Sequence, residues 1–162
     1  MPTIREVKLR HAEHFYNRFQ TLATPDATEL PLAQRLNRLR SDWGQITTAQ
    51  AWSAKSFEND DEVAEICSRF GYVGVGGTGQ AVCEYLQNPM QRIDWISRAL
   101  WAARKMKHKK MVAVHLTHLG MTALEIGQTE GALEAYKEAE TRFAELEDWE
   151  SQAVVWDSMG MI

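Results

Sequence analysis

Apolar side chains recur at intervals of three and four residues along most of the chain, the spacing that gathers them on one face of an α-helix. Between Thr3 and Ala23 the first such stripe runs through Ile4, Val7, Ala12, Phe15, Phe19 and Leu22. Residues 24–31, TPDATELP, carry turn residues at both ends and no periodicity, which reads as a loop. A longer stripe over 32–56 puts Leu32, Leu36, Leu39, Trp43, Ile46 and Trp52 on its inner side. Asn59, Asp60 and Asp61 then supply turn and N-cap chemistry for a helix over 61–73, with Val63, Ile66, Cys67 and Phe70 turned inward.

The periodicity breaks at Gly71–Gly79, where five glycines in nine residues are too many for a helix interior. A short helix over 80–87 is expected next, closed by Asn88-Pro89. From Met90 to Lys107 the inward positions are Ile93, Ile96, Ala99, Leu100, Ala103 and Met106, and the basic turn Lys107–Lys110 suits the helix dipole. Helices over about 110–127, 130–147 and 150–162 follow, parted by Gly127-Gln128-Thr129 and Glu147-Asp148. The expected fold is all-α, about eight antiparallel helices. Residues 1–88 make an N-terminal helical region and 89–162 a repeat region.

The repeat shows as an offset of forty residues. Leu116, Leu119 and Gly120 return as Trp156, Met159 and Gly160; Ile96, Ala99, Ala103 and Met106 return as Tyr136, Ala139, Phe143 and Leu146. Small residues such as Gly120 and Ala132 let two antiparallel helices approach, and large neighbours fill the groove beside them. One such hairpin cannot bury its stripe alone, so hairpins stack. The order Leu116, Leu119, Gly120, Ala132, Tyr136 resembles the tetratricopeptide repeat, W-x₂-L-G-x₂-Y…A-x₃-F, with Ala123 where the motif has tyrosine. The resemblance implies hairpins stacked as a right-handed superhelix, with ligand-facing positions on the first helix of each hairpin. Those positions are Val114, Thr117, His118, Met121, Leu124 and Glu125, then Asp157 and Met161. This mixed apolar and acidic set lacks the lysine–asparagine clamp for a C-terminal carboxylate and suits an apolar or basic peptide.

Composition narrows the classes. A chain of 162 residues can hold a continuous core, and a net charge of −4 argues against a general nucleic-acid surface. Cys67 and Cys83 show no pairing pattern and read as small core residues. No apolar run reaches membrane-spanning length and the N-terminus is charged, so a cytoplasmic location is expected.

Candidate chemistry is sparse. Gly74–Gln80 looks like a phosphate loop, but Gln80 stands at the lysine position and Ala81 at the serine or threonine position. His11/His14 and His115/His118 are i, i+3 pairs without a third ligand. Glu138, Glu140, Glu145, Glu147, Asp148 and Glu150 crowd one hairpin and read as a solvated face. No catalytic set, metal or cofactor is expected. Most of the six tryptophans fall on apolar stripes, while Trp95 and Trp101 lie off theirs and are candidate contact anchors.

A wider resemblance covers most of the chain. Arg10–Phe19 (RHAEHFYNRF) looks like the helix after the winged-helix module of STAND-type signalling ATPases. Leu36–Trp52 (LNRLRSDWGQITTAQAW) and Arg92-Ile93-Asp94-Trp95-Ile96 resemble the elements leading into their forty-residue tetratricopeptide repeats. The resemblance implies a non-enzymatic sensor region that binds a partner protein. Two alternatives are an inducer site between helices lined by Trp95, Trp101 and the glycine loop, and a degenerate nucleotide site at Gly74–Gln80. Trp156, Met159 and Met161 open a repeat without its second helix, so either a longer protein covers this face or the chain self-associates through it.

Overall fold

The computed structural model describes residues 1–24, 27–73 and 77–162, with only the backbone described for 77–80. The described residues form eight α-helices and no strand: α1 (Ile4–Ala23), α2 (Leu32–Ser56), α3 (Asp61–Tyr72), α4 (Gly77–Leu86), α5 (Pro89–Lys105), α6 (Lys109–Glu125), α7 (Thr129–Glu145) and α8 (Trp149–Gly160). A single 3₁₀ turn, Phe57–Asn59, joins α2 to α3. Side chains fix several helix starts. Thr3 with Glu6, and Asn88 with Gln91, form reciprocal capping boxes. Asp60 and Asp148 accept from the N–H groups of Val63 and Ser151.

One boundary departs from expectation. α4 begins at Gly77, inside the glycine run, rather than at residue 80. The first turn of a helix has no intrahelical partners for its N–H groups, so glycine weakens it less than it would an interior. Residues 74–76 lie outside the described residues.

The C-terminal half keeps a rhythm of twenty residues. α5, α6 and α7 are each 17 residues long. Each ends on a left-handed residue: Lys107 at φ 56°, Gly127 at φ 75° and Glu147 at φ 55°. After each, an N–H reaches back to the last turn: His108 to Ala103, Gln128 to Ala123, Asp148 to Phe143. These bonds satisfy carbonyls that the helix end leaves free. α5, α6, α7 and α8 start twenty residues apart and pack as successive neighbours.

The buried side chains fall into three clusters, two of them large. In the N-terminal one, Trp43 and Trp95 stack at 5.7 Å, and Phe19 and Phe70 meet Trp95 edge-on at 6.2 and 5.9 Å. Around α6 and α7 the core holds Leu116, Ala132, Tyr136, Ala139, Phe143 and Val155. Trp95 belongs to α5 and packs among side chains of α1, α2 and α3. Three expected inward positions, Ile4, Val7 and Leu32, are exposed. They sit in the first turns of α1 and α2.

Two glycines mark close helix crossings. A Cβ on Gly120 would lie 2.7 Å from Cε1 of Tyr136 on α7. A Cβ on Gly71, in α3, would collide with Ala99 Cβ on α5. The sequence around the two is alike: Cys67-x₂-Phe70-Gly71 in α3, Leu116-x₂-Leu119-Gly120 in α6. Forty residues separate Ile96 from Tyr136, but forty-nine separate Gly71 from Gly120. The α3–α5 pair thus carries nine extra residues between its helices, in the stretch that includes α4.

Candidate functional site

The residues expected to face a ligand fall on one side of α6 but do not line one surface. Val114, Thr117 and His118 border a groove of about 150 Å³ with Phe143 of α7 and Ser151 and Val154 of α8. Lys110 and Asp148, 3.0 Å apart, tie the starts of α6 and α8 together one turn away. Along α8, Glu150, Val154, Asp157 and Met161 share a stripe at helical spacing, and all four are exposed. Among the described residues, neither Glu150 nor Asp157 has an ion-pair partner. Leu124 is half-buried against the α6–α7 core.

His118, Met121 and Glu125 instead line a second cavity, of about 50 Å³, enclosed by α1, α3, α5, α6 and the end of α4. Phe19, Phe70 and Trp95 form its apolar wall, and Val73, Cys83, Gln87 and Arg92 add to it. Arg92 donates through Nη2 to Glu125 and lies 3.7 Å from Glu84. Among the described residues neither its Nε–H nor Nε2 of Gln87 has an acceptor. Both residues are buried, Arg92 8% exposed and Gln87 7%. An unmet buried donor costs about 1–3 kcal/mol unless something else accepts from it.

Above that cavity, Ser68 Oγ and His115 Nε2 lie 3.0 Å apart. The spacing is that of a nucleophile and its base, but both residues are fully enclosed, so no substrate reaches the hydroxyl. Burial drives the His115 pKa down to about 3, with His118 and His108 adding to the shift, and that of His118 to about 4. Burial also pushes the Cys67 and Cys83 thiols up to about 12, which makes them inert core groups.

The remaining candidates separate. Trp95 is 9% exposed at the centre of the aromatic cluster, whereas Trp101 is 59% exposed with Arg104 Cζ 5.4 Å from its ring. The expectation that both tryptophans lie off the inward face is therefore corrected for Trp95. α5 packs against α2, α3 and α6, so its buried surface is wider than one stripe. His11 bonds Gln45 at 2.9 Å, and no three His, Cys, Asp or Glu among the described residues converge to hold a metal. Glu138 pairs with Arg104 and Arg142, Glu140 accepts from Gln152, and Asp148 from Ser151. Those carboxylates hold helices together.

The phosphate-loop resemblance at Gly74–Gln80 lies partly outside the described residues. What precedes it is helix α3, whereas a phosphate loop is delivered by a strand. No helix is long and apolar enough to cross a membrane among the described residues. No family model, curated protein or solved structure matches this chain.

Proposed function

We propose that the chain is a recognition module without bond chemistry, built of tetratricopeptide-like hairpins in a right-handed superhelix. It acts as the sensor region of a STAND-type signalling ATPase. The groove between α6 and α8 takes an extended segment of a partner protein. One observation carries this reading: the groove at Val114, Thr117 and Val154 is flanked along α8 by the free carboxylates of Glu150 and Asp157. An apolar side chain fills such a groove, and unpaired acids beside it favour lysine or arginine on either side. The twenty-residue rhythm of α5–α7 and the glycine crossings support the repeat assignment.

A random linear peptide library selected on the whole chain tests this. Enriched peptides are expected to share an apolar residue flanked by basic ones, and to bind Val154→Asp roughly tenfold more weakly, a loss of about 1.4 kcal/mol. Val154 is exposed, so the substitution leaves the core intact. Enriched peptides that ignore Val154→Asp, or the lack of any enrichment, would reject the groove.

A further inference from the structure

The second cavity has the makings of a ligand site. Its wall is aromatic on one side, through Phe19, Phe70 and Trp95, and polar on the other, through Gln87 and Arg92. The two unmatched polar atoms are both N–H donors, Gln87 Nε2 and Arg92 Nε. A volume of about 50 Å³ exceeds the roughly 10–15 Å³ that a single water needs. A ligand that matches both walls brings an acceptor oxygen and a small apolar body.

Charge decides the class of acceptor. Arg92 is already flanked by two carboxylates, Glu125 and Glu84. A third anion would meet their repulsion with one guanidinium to offset it, while a neutral carbonyl would meet none. The aromatic wall suits a flat group. We propose that this cavity binds a small neutral amide or lactam. Its carbonyl oxygen accepts from Gln87 and Arg92, and its ring or alkyl face lies against Trp95. The half-buried Met121 and the exposed Glu125 form the rim through which a larger ligand of this class extends. Val73, Cys83 and Gln87, from between α3 and α5, complete the wall.

This inference does not rest on the peptide groove, whose Val154→Asp variant leaves the cavity untouched. The test is a titration of the whole ¹⁵N-labelled chain with 2-pyrrolidone, and separately with acetate, followed by amide and indole resonances. Pyrrolidone is expected to give saturable shifts centred on the Trp95 indole and the Gln87 side-chain amide, with the weak affinity typical of so few atoms. Acetate is expected to leave them in place. Gln87→Met, which keeps the volume and removes the donor, should weaken pyrrolidone at least fivefold. Wild-type titrations alone decide the matter if that variant misfolds. No saturable shift, an equal response to acetate, or a folded Gln87→Met that binds unchanged would overturn the proposal; in the first case the cavity is a water site only.

Discussion

Tyr136 of α7 lies against the backbone of α6 at Gly120, close enough that a Cβ there would stand 2.7 Å from the edge of its ring. The hairpin is thus set by one missing side chain and one large one. Gly120→Ala is expected to destabilise by about 1–3 kcal/mol through forced repacking of that ring. Gly131→Ala, in α7 where a Cβ meets nothing within 4 Å, should instead stabilise by about 0.5–1 kcal/mol. Urea unfolding of both variants checks the contrast; equal effects would mean the crossing is loose.

Buried His115 and partly buried His118 set how stability depends on acid. Folded, His115 and His118 have pKa values near 3 and 4, while unfolded they return to about 6.5. Above pH 6.5 both states are neutral and the penalty is absent. As pH falls below 6.5 the unfolded chain takes up protons that the folded one refuses. Stability should then drop by about 1.4 kcal/mol per pH unit for each histidine. Urea midpoints at pH 7 and pH 5 should differ accordingly, and His115→Gln should flatten the slope. Equal midpoints would contradict the lowered pKa values of the two rings.

The three turns make a matched series. Lys107 and Glu147 hold left-handed backbone that costs a residue with a Cβ about 1–2 kcal/mol, while Gly127 holds it freely. Lys107→Gly and Glu147→Gly should each raise the melting temperature, and Gly127→Ala should lower it. A melting curve unmoved by all three would show that the turns are not ordered as described.

The tryptophans separate core from surface. Trp95→Ala is expected to cost about 3–5 kcal/mol, because it empties the centre of the aromatic cluster. Trp101→Ala should change stability by no more than about 0.5 kcal/mol. Denaturation of both variants tests whether only one of these rings is available to a partner.

Much of the helix pattern was legible in the sequence, because apolar spacing and caps such as Thr3, Asp60 and Asn88 are local signals. The close approach of Gly120 and Tyr136 was legible too, since a missing side chain and a large one show in their sizes. The second glycine crossing, Gly71 against Ala99, was not legible, because Gly71 lies forty-nine residues before Gly120 rather than forty. Trp95 was misread because α5 contacts helices on several sides, which no single stripe reveals. The second cavity had no sequence signal. Its walls come from five helices, and its unmet donors, Gln87 and Arg92, look like ordinary surface residues in one dimension.

α3–α5 and α6–α7 each close over a glycine, Gly71 against Ala99 and Gly120 against Tyr136. Urea denaturation of Gly71→Ala, alone and combined with Ala99→Gly, tests this directly. Gly71→Ala alone should lose about 1–3 kcal/mol, and the double variant should recover part of that loss by vacating the space opposite. A neutral Gly71→Ala, or a double variant that simply adds two losses, would contradict it.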